Sequence, residues 1–404
     1  MNDMTLNLSY SQVLAKAIAR CVTMLVLCSL QGCFSPMALD RAVIEYDKAN
    51  ADVLSKLLLL NIARSHQHQP MHFTGVSNIA ATYNFQFNAG ATPAFTGENG
   101  SVMTPVFGGT ISENPTISIV PIEGEEFSRR MLTPIQENKL TMLLRQGTDI
   151  DLTLRLLAGE LRIYDGGQRK VYLNKPDDAE GYRLFRQAVL HMSSIQDRHK
   201  LFVEPLMFDQ QWTLPAESLT AEQMAALQKD FKIEYLAERK QVLLSKRETG
   251  RILLTNYDPA TLSNEERVRL HEEADQYADN DVSVDIRPGY TGGEWPIHGA
   301  FRLRSFLNVL NFIGQSISDD PEYAVAKYPK TPNVSQNPVY AMALLVSDNK
   351  PAGISVQFGD WYYALKPETG YQWNREGFRL LTQIFHMTMT DLAQKGAPVI
   401  TIAK

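Results

Sequence analysis

The chain has 404 residues, 44% of them apolar and 21% charged, which suits two or three domains with packed cores. That balance excludes an intrinsically disordered tail protein and a polytopic membrane protein. A formal net charge of -6 leaves no general basic field for nucleic acid.

All three cysteines, Cys21, Cys28 and Cys33, fall within the first 33 residues. The rest of the chain can form no internal disulfide, no Cys-ligated zinc site and no thiol nucleophile. Lys16 and Arg20 close a polar leader, and the ten residues from Cys21 to Leu30 form a largely apolar run. A bilayer span needs about 20 such residues, so the run reads as the core of a secretory signal. It ends in Leu30-Gln31-Gly32-Cys33, which resembles the lipobox of bacterial lipoproteins, with Gln31 departing from the usual small or aliphatic residue. The resemblance implies a signal peptide over 1–32, removal before Cys33, and a covalent lipid on Cys33 as the attachment to the membrane. In that family an Asp after the Cys favours retention in the inner membrane. Phe34 stands there instead, so the expected location is the outer membrane, facing the periplasm.

Residues 38 to 64 lack Gly and Pro and carry Val43, Tyr46, Val53, Leu57, Leu60 and Ala63 near helical spacing, which predicts one long helix. The next segment changes character. Tyr83-Asn-Phe-Gln-Phe87 and Thr116-Ile-Ser-Ile-Val120 alternate apolar and polar residues around a Gly/Pro/Thr/Asn stretch, which predicts an extended hairpin over 74–122. Only Glu98 and Glu113 are charged between Phe73 and Ile122. Helices are expected over 123–159, restarting at Pro134 and again at Asp149. A tight hairpin follows from Arg162 to Leu173 around Asp165-Gly166-Gly167, then a helix over 177–200 and a strand over 201–206.

Residues 211–280 are the most polar and read as an insertion with charged helices at 221–230 and 264–277 and short strands at 233–235 and 241–244. The last part offers strands at 282–286, 340–346, 354–358, 361–365 and 398–402, and helices at 301–317 and 374–392. The expected architecture is α+β: a long helix, a hairpin excursion, and two βαββαβ (ferredoxin-like) units with a polar helical insertion. The boundaries are 33–72 for the lipidated N-terminus and helix, 73–210 for the first unit, 211–280 for the insertion and 281–404 for the second unit.

Candidate chemistry is sparse. His66, His68 and His72 are close in sequence, but Pro70 interrupts them and no carboxylate lies between, so they read as a polar turn. Glu123, Glu125 and Glu126 ahead of Arg129 and Arg130 read as an acidic helix start paired to following arginines. The loop Arg287 to Trp295 is Gly-rich without a phosphate-binding pattern, and Glu294 beside Trp295 reads as loop and packing. No catalytic motif, metal site or cofactor site is assigned.

Three stretches, Leu57 to Arg64, Glu113 to Phe127 and Leu132-Thr-Pro134, resemble a set of proteobacterial envelope lipoproteins. That resemblance implies the compartment and supplies no activity. The first expected function is a non-enzymatic scaffold or assembly subunit of a cell-envelope complex, contacting other envelope proteins or itself. One alternative is a subunit of an oligomeric secretion pore using hairpin 74–122, organised in the general manner of the lipoprotein channel that exports curli. The other is a periplasmic enzyme or glycan binder around Trp295.

Overall fold

The computed structural model describes residues 34–94, 102–165 and 168–389. The signal peptide, Cys33, the hairpin tip at 95–101 and the expected strand at 398–402 lie outside the described residues. Contacts divide the chain into two units, Met1–Leu57 and Leu58–Lys404.

Helix α1 spans Phe34–His66. In the first unit Lys56 pairs with Asp52 one turn away at 2.6 Å, while Val43, Ile44 and Val53 are exposed. The expected apolar face is therefore not buried along its whole length. In the second unit Leu58, Leu59, Ile62 and Ala63 are fully buried. Asn61, buried among them, bonds both backbone groups of His72, at 2.9 and 2.8 Å, and so fixes the chain leaving the helix.

Strands β1 (Phe73–Ala94) and β2 (Val102–Ile122) form a two-stranded sheet of their own. Three helices follow: α2 (Glu125–Leu132), α3 (Glu137–Arg145) and α4 (Ile150–Leu157). The backbone at Gly124 has φ +98°, a turn that favours glycine, and it redirects the chain from β2 into α2. All eight residues of α4 are buried, including Asp151 and Arg155. These charges are tolerated because each has a buried partner: Asp151 accepts from Arg186, and Arg155 donates to Glu322 at 2.5 Å.

The main sheet has seven strands: β3 (Ala158–Asp165), β4 (Gln168–Leu173), β5 (Phe202–Pro215), β6 (Lys232–Leu236), β7 (Gln241–Thr255), β8 (Asp281–Ile286) and β9 (Ile297–Leu303). Their order is β4-β3-β9-β8-β7-β5, with β6 added on β7. Only β7 and β8 run parallel, Leu253 to Thr255 beside Ser283 to Asp285. Helix α5 (Ala179–Gln196) packs on this sheet, with Phe185 edge-on to Phe301 at 5.9 Å. Helix α6 (Ala221–Leu227) opens with a capping box from Thr220, and α7 (Asn264–Asp275) connects β7 to β8. Helix α8 is Phe306–Gln315. A second sheet, β10 (Leu344–Ser347), β11 (Ser355–Phe358) and β12 (Trp361–Leu365), has the order β10-β12-β11 and precedes α9 (Trp373–Met389).

The fold is mixed α+β with several sheets and no barrel within the described chain. The strands expected in two separate βαββαβ units are instead shared out. Strands β3, β4 and β5 from the first expected unit join β8 and β9 from the second in one sheet, while Thr116 to Val120 pairs only with β1. The expected helix start at Phe301 is also displaced. Phe301 belongs to β9, and Ser305 caps α8 by accepting from Asn308 N at 3.3 Å. The strand expected from Tyr340 begins at Leu344, because Trp373 Nε1 donates to the carbonyls of Tyr340 and Ala341 and Asn374 Oδ1 accepts from Ala343 N.

Candidate functional site

The hairpin is the largest feature that the rest of the fold leaves unpaired. β1 and β2 pair from Phe73 opposite Ile122 to Ala94 opposite Val102, with one register shift between Val76 and Asn78. Neither strand pairs with any other among the described residues. At about 3.3 Å per residue, each strand is about 70 Å long. An isolated two-stranded ribbon is only marginally stable in water, so one of this length calls for neighbours.

The register sorts residue types. Strand residues alternate between two faces. On one face Ile79 stands opposite Ile117, Phe85 opposite Ile111, Phe87 opposite Gly109, Ala89 opposite Phe107 and Pro93 opposite Met103. On the other, Thr82 is opposite Asn114, Asn84 opposite Ser112, Gln86 opposite Thr110, and Thr92 opposite Thr104. Tyr83 and Glu113 face each other at one margin of the apolar run. From Phe85 to Pro93 the run is nine residues, close to the roughly 9–11 that a tilted membrane strand requires. Among the described residues no helix is long and apolar enough to cross a membrane.

The ribbon is rooted in the protein core. Phe73 is fully buried and stacks on Phe385, with Phe127 and Phe306 beside it at 6.2 and 6.5 Å. The acidic helix start next to the root behaves as the sequence suggests: Glu126 pairs with Arg130 at 2.7 Å and with Arg129. Hydrogen bonds from those two arginines hold its carboxyl below the usual range.

The other sequence candidates separate in space. His66 bonds Tyr363 Oη and Ser318 Oγ, each at 2.9 Å, and His68 lies 3.3 Å from Asp319. His72 is engaged through its backbone by Asn61. No three metal-type ligands converge among the described residues. Trp295 stacks on Tyr328 at 4.2 Å and lies 5.1 Å from His191, which bonds Gly292 O at 2.8 Å. The tryptophan therefore pins its loop to the segment around Tyr328. Glu294 is exposed and has no ion-pair partner among the described residues.

A charged cluster escaped the sequence reading because its members are scattered along the chain. His298 bonds Glu273 at 2.6 Å and approaches Asp285 at 3.5 Å. Asp285 also accepts from Tyr257 Oη at 2.6 Å and from Arg287 Nε at 2.7 Å. Hydrogen bonds to Asp285 and Glu273 raise the His298 pKa to about 9. The one available signal was spacing: Glu266 and Glu273 lie two turns apart on α7, and Asp285 and Arg287 are alternate residues of one extended segment. The neighbouring cavity is about 20 Å³, too small for an organic substrate, so the cluster clamps α7 to the sheet.

Two larger cavities open on the surface. One of about 420 Å³ lies between the ends of β3 and β9 and one side of α8. The other, about 510 Å³, lies along α2 and reaches Met387 and Thr388. Comparison with protein-family models, with curated proteins and with solved structures finds no match for this chain.

Proposed function

We propose that the protein is a lipid-anchored outer-membrane subunit whose copies assemble so that their hairpins, Phe73 to Ile122, close a shared β-barrel pore. The observation that carries this reading is the register of β1 and β2. From Phe85 to Pro93 it places apolar residues or glycine opposite one another on one face, and on the other it places amides and hydroxyls opposite one another from Thr82 to Gln86 and at Thr92, with Gly90 opposite Val106 between them. An apolar band outside and a polar lumen inside is what a membrane barrel needs. Two strands cannot close a barrel, so several copies have to contribute, and lateral pairing then satisfies both ribbon edges. The lipid expected on Cys33 would hold each subunit at the membrane while the ring forms. No cofactor or nucleic acid enters this function.

The test is made on the full chain, extracted from membranes in mild detergent. A ring-sized homo-oligomer that conducts in planar bilayers, and loses conductance when residues 88–105 are deleted, supports the pore. A monomer, or a complex with other envelope proteins that ignores the deletion, overturns it.

A different observation favours the scaffold reading. The arm formed by β6 and the outer halves of β5 and β7 exposes Trp212 and Tyr235, at 38% and 58%. Pro93, Pro105 and Pro115 also withdraw N–H donors from the ribbon. A non-conducting complex with another envelope protein, lost on Tyr235→Asp, would establish that reading.

A further inference from the structure

The cavity of about 420 Å³ beside α8 has a lining that the hairpin's role does not use. Asn308, Asn311, Phe312 and Gln315 lie at successive helical spacings, so three amides and a ring form one stripe along it. Opposite are Gly159, Asn174 and the end of β9. The charges on this wall are mostly committed. Arg302 donates to both oxygens of Asp281, Glu160 accepts from Arg162, and Lys175 pairs with Asp177.

Two charges are not. Arg304 Cζ lies over the Phe312 ring, 4.1 Å from its centroid, and the guanidinium donates to the carbonyls of Arg155, at 3.4 Å, and Asn174, at 2.6 Å. It has no carboxylate within ion-pair distance among the described residues, and burial pushes its pKa down to about 10. A half-buried guanidinium that pairs with no carboxylate keeps N–H donors available for a bound anion. Asp320, on the same lining, also has no cationic partner within ion-pair distance among the described residues. Asn174, only 2% exposed, bonds through its Nδ2 to two carbonyls, yet its Oδ1 has no donor. The lining therefore holds a guanidinium and a carboxylate without ion-pair partners beside three side-chain amides, while Asn174 Oδ1 is sealed beneath it.

We propose that this cavity is a binding site for a small monocarboxylate carrying a neighbouring hydroxyl or amine, of the sugar-acid or amino-acid class. Its carboxylate meets Arg304 and the amides of Asn308 and Gln315, and its donor group meets Asp320. Glu160 and Asp320 exclude a polyanion by repulsion. The volume suits a single residue of a sugar acid or amino acid and is larger than an inorganic ion requires.

The experiment is a titration of the full chain in detergent with D-glucuronate and with L-serine, read as unfolding temperature and as heat of binding. Inorganic phosphate and glucose serve as comparisons. Saturable binding of glucuronate or serine is expected, with phosphate and glucose inert. Asn308 and Gln315 are exposed, so Asn308→Asp and Gln315→Glu should fold normally. Each should weaken binding by at least about tenfold through repulsion of the carboxylate. Arg304→Gln should abolish binding while circular dichroism stays unchanged. Should Arg304→Gln fail to fold, the two helix variants decide. Binding of phosphate or glucose as tight as that of glucuronate and serine, equal binding by both helix variants and the wild type, or no saturable binding at all would overturn the proposal.

Discussion

Phe73 stacks on Phe385 with ring centroids 5.1 Å apart, joining the first residue of the hairpin to the last described helix. The contact ties a long ribbon to the core at one point. Phe73→Ala should destabilise the protein by about 3–5 kcal/mol, as deletion of a fully buried aromatic does. Chemical denaturation checks this. The same substitution at Phe85, away from the root, should leave the denaturation midpoint of the body unchanged.

Neighbouring residues on opposite faces of the ribbon should respond in opposite ways. Phe85→Arg places a charge on the apolar face, at about 2–4 kcal/mol per copy near a bilayer midplane. It should abolish insertion and conductance. Gln86→Arg places the same charge on the polar face, and should preserve conductance while shifting selectivity toward anions. Reversal potentials in a salt gradient read the difference.

Glu322 accepts from Arg155 at 2.5 Å, from Tyr182 Oη at 3.0 Å and from Ala341 N at 2.6 Å, all in the core. Glu322→Ala leaves a buried guanidinium unpaired and should cost about 3–5 kcal/mol. The double variant Arg155→Met with Glu322→Leu should recover part of that loss. Urea midpoints of the two variants decide whether burial or attraction governs the pair.

The His298 clamp gives a pH dependence with a defined sign. Its folded pKa of about 9 lies above the ordinary value near 6.5, so the imidazolium is favoured by folding. The stabilisation is fully present below about pH 6.5 and is lost as pH rises through about 9. Hydrogen exchange in α7 should quicken between about pH 7 and pH 10, beyond the intrinsic base-catalysed rate. His298→Gln should remove that extra dependence.

The strongest local patterns were legible in the sequence. Alternation around Tyr83 to Phe87 marked the hairpin, and Asp165-Gly166-Gly167 marked the antiparallel pairing of β3 with β4 on either side of it. The helix start at Asp149 was legible because a carboxylate at that position accepts from a first-turn N–H group, whereas the start expected at 177 falls one residue later, at the cap Asp178. What was not legible depended on distant partners. β7 continues past the charged stretch Lys246-Arg247-Glu248 because β5 pairs with it along its length, which no local pattern records. β9 was hidden by Gly299, which lets the backbone pass close to Arg162 where a Cβ could not fit. The Arg304 cavity was invisible for the same reason: its lining comes from stretches far apart in the chain, and only their packing leaves a cation without a carboxylate.

The register shift at Val76 and Asn78 sets the reading frame of the ribbon. Ser77 is the extra residue of a β-bulge, and the pairing on either side of it keeps Val76 in phase with Ile79. Removing Ser77 would straighten the strand without moving any later residue to the opposite face. Removing one residue farther along, such as Asn84, would invert every position from there to the tip, exchanging the two faces of that strand against its partner. The hairpin therefore tolerates a change of length at one place near its root and nowhere in its distal half, a constraint that insertions and deletions would reveal more directly than substitutions.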